Sequence, residues 1–137
     1  MKKRILVIDE NIKDYTNYID ALRTEYDVDD CGYIGTARYK LHKNNYDLII
    51  LDIMMPTLGL FPLEETTYGL RTGLVYYEKE LILRPVLFWS LNSDFEKEIK
   101  NKKENDPDWN KTGFLLKDPD YKHLLNGVNH FLKNLNK

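Results

Sequence analysis

One cysteine, Cys31, is the only thiol in the chain. No internal disulfide can form, and such cysteine usage fits a reducing cytoplasm. Neither sign of charge is in excess: 20 Lys and Arg against 22 Asp and Glu leave a net charge of −2. The sequence therefore carries no electrostatic footprint for nucleic acid or an anionic membrane. Long apolar runs are missing too. The basic start Met1-Lys2-Lys3-Arg4 leads only into Ile5 to Ile8, too short for a signal-peptide core or a membrane span. There is no internal repeat, Gly-rich phosphate loop or metal-finger spacing. The expectation is a soluble cytoplasmic chain forming one domain over residues 1–137. A tail as short as Lys133-Asn134-Leu135-Asn136-Lys137 adds the expectation that no second domain follows.

What the chain does have is 42% hydrophobic residues over 137 positions, enough for one core. Short apolar runs alternate with longer amphipathic stretches, which predicts β-α units around a parallel sheet. Strands buried on both faces read as continuous apolar runs. Such runs fall at Arg4 to Ile8, Asp47 to Leu51, Pro85 to Trp89 and Gly113 to Leu116. The acid-rich, alternating Tyr26 to Cys31 reads as an edge strand. Helical spacing links Ile12, Tyr15, Ile19 and Leu22. Further helices are predicted around Thr36 to Lys43, Thr72 to Leu83, from Ser93-Asp94 to about Ile99, and along the stripe from Tyr121 to Leu135. The stretch from Ile53 to Gly69 is longer than most connections in a compact domain.

Five polar residues stand at the carboxyl ends of the predicted strands, where open α/β sheets bind ligands. Asp9 and Glu10 end the first, Asp52 ends the third, Ser90 follows the fourth and Lys117 follows the fifth. Three carboxylates, one hydroxyl and one ammonium are thus expected to converge on one crevice. Like charges at contact distance require a cation or protonation. Oxygen ligands on a partly hydrated site suit Mg²⁺. A carboxylate beside Mg²⁺ and an ammonium could accept a phosphoryl group. Taken singly, each residue has a plainer role: a helix cap, a turn residue or a solvated charge. Their shared position on one rim is the specific signal.

The stretch Lys3 to Asn11 resembles the opening of a response-regulator receiver domain. Tyr46-Asp47-Leu48-Ile49-Ile50-Leu51-Asp52-Ile53-Met54-Met55-Pro56 resembles its phosphoacceptor strand and is the most specific match. Ser90 falls at the family's Ser/Thr position, Lys117 at its lysine and Phe114 at its aromatic switch position. The resemblance implies a doubly wound five-stranded parallel sheet, flavodoxin-like, in the order 2-1-3-4-5, with helices on both faces. It implies a stand-alone receiver of a two-component system that is a signalling protein, at most catalysing its own phosphorylation and dephosphorylation. Asp52 would be the phosphoacceptor. Asp9, Glu10, Asp52 and the backbone carbonyl of Met54 would hold Mg²⁺. Ser90 and Lys117 would contact the phosphoryl group, and Ser90 and Phe114 would act as the switch. The implied partners are a sensor histidine kinase or phosphotransfer protein and an output protein. The chain would be a monomer or weak homodimer.

Glu10 stands where the family usually has Asp, Leu91 where it has a small residue, and Asp118 separates Lys117 from Pro119. These departures leave an alternative, a receiver-like interaction module that works without phosphorylation. A third reading, an Mg²⁺-dependent phosphohydrolase, is opposed by Met54, because an aspartate nucleophile of that kind usually has a second Asp two residues on. His42, His123 and His130 lack ligand spacing. Tyr76, Tyr77, Trp89 and Trp109 read as core and packing, with Trp109, in a polar loop, expected to be partly exposed.

Overall fold

A computed structural model describes residues 1–135; the last two tail residues, Asn136 and Lys137, lie outside the described part. Five parallel strands form one sheet in the order β2-β1-β3-β4-β5. They are β1 (Arg4–Ile8), β2 (Asp27–Cys31), β3 (Leu48–Leu51), β4 (Val86–Ser90) and β5 (Thr112–Leu116). The acid-rich segment is indeed an edge strand, and the most apolar one, β3, is central with every residue buried. Five α-helices connect or follow the strands: α1 (Thr16–Arg23), α2 (Ile34–Lys43), α3 (Thr72–Tyr76), α4 (Asp94–Asn105) and α5 (Lys122–Leu135). None of the described helices is long and apolar enough to cross a membrane.

Strand alternation divides the core into two layers. Ile5, Val7, Ile50, Leu87 and Trp89 pack with Ile19 and Leu22 of α1 and with Leu124, Val128 and Leu132 of α5. Leu6, Ile8, Leu51, Val86 and Phe88 face the other way, onto α2, α3 and α4. Burying both faces of all three middle strands is what demands their unbroken apolar sequences.

Several local expectations need correction. Trp109 is buried, only 2% exposed. It closes a short 3-10 turn at Pro107–Trp109 and stacks on Phe88 with ring centroids 5.8 Å apart. Its polar neighbours belong to the turn, while the indole points inward. The third helix does not run evenly to Leu83. After Tyr76 it widens into a π-turn over Tyr77–Leu81. The buried Tyr77 hydroxyl accepts the Leu83 backbone N–H at 3.2 Å and donates to the Asp108 carbonyl at 2.6 Å, ending the helix early. Helix α4 outlasts its apolar residues and stops at Asn105. Lys and Glu propagate a helix well, and the firm stop is the extended Asp106 before Pro107. Its cap is not a Ser93 side chain; Asn92 Oδ1 accepts the Asp94 N–H at 3.0 Å. Tyr121 precedes α5 and is 44% exposed, so it does not join that helix's buried stripe.

The connection from β3 to α3 is braced rather than open. Met55 N–H donates to the Gly69 carbonyl at 3.1 Å, Arg71 N–H to Thr66 at 2.9 Å, and Gly73 N–H to Ile53 at 2.9 Å. Thr66 and Thr72 are fully buried, and the Thr72 hydroxyl donates to the Met55 carbonyl. The chain thus leaves β3, makes a compact excursion and returns to within hydrogen-bonding distance of its own start.

Candidate functional site

Hydrogen bonds between neighbouring strand ends set the rim of the site. Asp9 N–H donates to the Cys31 carbonyl and Asp52 N–H to the Ile8 carbonyl, each at 3.0 Å. Lys117 N–H donates to the Ser90 carbonyl at 2.8 Å. Asp9, Asp52 and Lys117 are therefore fixed by the backbone ladder just past β1, β3 and β5, and Ser90 is the last residue of β4. All four are buried, with exposures of 0%, 5%, 1% and 8%.

Lys117 Nζ lies 2.6 Å from Asp9 Oδ2 and 3.6 Å from Asp52 Oδ1. Asp9 Oδ1 also accepts the Asn11 N–H at 2.8 Å. Asp9 is thus well compensated and Asp52 less so. Burial, and then the nearby Asp9 charge, push the Asp52 carboxyl up to about 7, with Lys117 only partly offsetting them. Burial acts to lower the Lys117 ammonium, but the Asp52 and Asp9 carboxylates outweigh it and the net shift is upward.

Not all the expected residues meet. The Glu10 side chain is exposed, and among the described residues no three His, Cys, Asp or Glu side chains form a metal-binding group. The anticipated convergence of three carboxylates is in fact two. Glu10 acts on Asp52 only as a weaker, repulsive charge. The Met54 side chain is 39% exposed, and its carbonyl accepts no hydrogen bond from the described residues. Ser90 Oγ accepts the Asn92 N–H at 3.1 Å. By strand alternation Ser90 shares the sheet face of Phe88, against which the half-buried Phe114 stands in register on β5. Leu91, 73% exposed, points away into solvent.

An aromatic platform is the feature that sequence reading missed. Lys117 Nζ lies 4.5 Å from the centre of the Tyr15 ring and 4.9 Å from that of Trp89. Tyr15 meets Trp89 edge-on at 4.8 Å, and Tyr18 packs against both. Tyr18 also donates its hydroxyl to the Asp118 carbonyl at 2.5 Å. The clue was present in Trp89, which immediately precedes Ser90, and in two tyrosines three residues apart after Asp9.

The donor set fits Mg²⁺. The ion is commonly held by one or two carboxylates, keeping several waters. Asp9 and Asp52 supply two buried carboxylates against one ammonium, and the uncompensated charge already shows in Asp52.

No protein-family model matches the chain, and no curated protein matches it. Solved structures do. The Francisella response regulator 1452 receiver domain superposes with a TM-score of 0.64 at 24% identity, covering 96% of this chain and 97% of that one. Thermotoga maritima response regulator TrrA, in complex with Mg²⁺-BeF, gives 0.59 at 23% identity, covering 94% and 98%. The OmpR/PhoB homolog DrrB, also from Thermotoga maritima, gives 0.65 at 17% identity over 97% of this chain. Here the match spans only 54% of the DrrB chain. The fold is that of response-regulator receiver domains.

Proposed function

We propose that this protein is a phosphoacceptor receiver of a two-component system, with Asp52 as the acceptor. The carrying observation is the buried Asp9–Lys117–Asp52 arrangement at the carboxyl edge of a receiver fold. A sensor histidine kinase or phosphotransfer protein would supply the phosphoryl group. In the transfer, an Asp52 carboxylate oxygen forms the new bond to phosphorus as the phosphohistidine N–P bond breaks, and the imidazole leaves with the electron pair. Asp9, Asp52 and the Met54 carbonyl would hold Mg²⁺, which when bound neutralises charge on the phosphoryl oxygens. Lys117, already between the two carboxylates, donates to a phosphoryl oxygen. Ser90 exchanges its Asn92 contact for another phosphoryl oxygen, and Phe114 follows into the space that opens. The new dianion acts only through contacts that differ between two states. A cleft of about 200 Å³ between α4 and β5, lined in part by Ile99, Lys103 and Phe114, is where that movement would alter a partner surface. An output protein binding there, in the cytoplasm, completes the reading.

One observation favours the alternative of an interaction module working without phosphate: Glu10 stands outside the buried pair. Titration with beryllium fluoride and Mg²⁺ separates the two. Saturable binding in the wild type that is lost in Asp52→Asn, with mass spectrometry locating phosphate on Asp52 after acetyl phosphate treatment, supports the receiver. No binding, or binding unaffected by the substitution, refutes it.

A further inference from the structure

Away from the strand-end site, a cleft of about 320 Å³ opens between α2 and the π-turn. Its floor is Tyr76, a side chain only 1% exposed. No protein group among the described residues hydrogen-bonds the Tyr76 hydroxyl, yet no fully buried side-chain oxygen or nitrogen goes without a partner. The hydroxyl tip must therefore reach the cleft. Burial pushes this hydroxyl up, so it remains a hydrogen-bond donor.

Charge in the cleft has a definite sign. Arg38 and Glu80 bind one another in a two-pronged pair, Nε to Oε1 at 2.8 Å and Nη2 to Oε2, and cancel. Arg84 is exposed and makes no ion pair within the described residues, leaving one positive charge. It follows Leu83, whose φ of 69° turns the chain back so that Arg84 N–H reaches the Leu81 carbonyl at 2.9 Å. Leu41 and Leu81 supply apolar walls.

We propose that this cleft binds a small organic monocarboxylate, its head on Arg84 and the Tyr76 hydroxyl and its apolar body against Leu41 and Leu81. Guanidinium forks match carboxylates, and the volume falls at the small end of ligand sites. A phosphate dianion fits less well, because the one unpaired guanidinium balances only half its charge and the leucines offer it nothing. The inference is independent of phosphorylation at Asp52.

Benzoate is the probe, followed by amide chemical shifts of the ¹⁵N-labelled chain, with inorganic phosphate as comparator. Benzoate should give saturable shifts around residues 38–42 and 76–84. Arg84→Gln, at an exposed position that leaves the core intact, should weaken binding about tenfold, the loss expected for a charged hydrogen bond. Tyr76→Phe, which removes only the hydroxyl, should weaken it severalfold. Absence of saturable shifts, equal binding of phosphate, or unchanged affinity in Arg84→Gln overturns the proposal.

Discussion

A Cβ atom on Gly73 would lie 2.2 Å from the carbonyl oxygen of Asp52 and 2.8 Å from the Cα of Ile53. Both obstacles are backbone, so neither can swing aside. The start of α3 is therefore seated directly on the end of β3, behind the carboxylate of the candidate site. Gly73→Ala should destabilise the fold by about 1–3 kcal/mol or more, the range of overpacking in a closed core. It should also impair beryllium fluoride binding more than the loss of folded protein explains. Urea unfolding with parallel titrations checks both; a variant as stable as wild type contradicts the contact.

Stability of the metal-free protein should fall as pH rises from about 4 to 7. Below that range Asp52 is protonated in both folded and unfolded chains. Within it the unfolded chain releases the proton while the folded carboxyl, raised to about 7, retains it. Asp52→Asn cannot ionise and escapes the loss. At pH 7.5 with chelator present, it should exceed wild type by roughly 1–3 kcal/mol, and the difference should shrink toward pH 4. Denaturant titrations at the two pH values decide it, and a variant less stable than wild type at pH 7.5 refutes the assignment. Mg²⁺ should narrow the gap by stabilising only the wild type.

Tyr15 should matter through its ring rather than its hydroxyl. The ring centre lies 4.5 Å from Lys117 Nζ, within the range where a desolvated cation–π contact contributes about 1–2 kcal/mol. Tyr15→Leu should loosen the lysine and weaken beryllium fluoride binding severalfold, while Tyr15→Phe keeps most of the affinity. Equal losses in both variants would instead assign the effect to the hydroxyl.

Leu83 holds a left-handed backbone, φ 69°, with its side chain 52% exposed. That conformation costs a leucine about 1–2 kcal/mol. Leu83→Asn, better suited to such a helix-end position, should raise stability by about 0.5–1 kcal/mol. Thermal unfolding measures it, and a lowered midpoint would show that the exposed leucine contributes packing that outweighs the strain.

Much of the architecture is readable from the apolar runs, because a parallel strand buried on both faces leaves little freedom in composition. Ile5 to Ile8, Leu48 to Leu51 and Val86 to Trp89 illustrate this, and their ends place Asp9, Asp52 and Ser90 on the rim that Lys117 joins from the end of β5. Chain position alone could not reveal that Glu10 points outward. Adjacent residues past a strand diverge, and the Asn11 turn onto Asp9 together with the Lys117 contact holds Asp9 as the acid that faces in. Trp109 escaped because hydropathy averages a side chain with its polar neighbours, whereas a three-residue turn can direct one indole inward. The lysine's aromatic platform joins Lys117 to Trp89 on the neighbouring strand and to Tyr15 near the start of the chain, contacts between distant segments that local pattern does not reach.

The sheet carries one indole on each side. Trp89 lies in the layer against α1 and α5, and Trp109 in the layer against α3 and α4. Replacing either tryptophan with phenylalanine leaves a single indole, confined to one half of the molecule and excited selectively over the ten tyrosines at the red edge of the absorption band. Emission from the two variants can then resolve which half loosens first on heating, and Trp89 alone should register a change in the ammonium beside it.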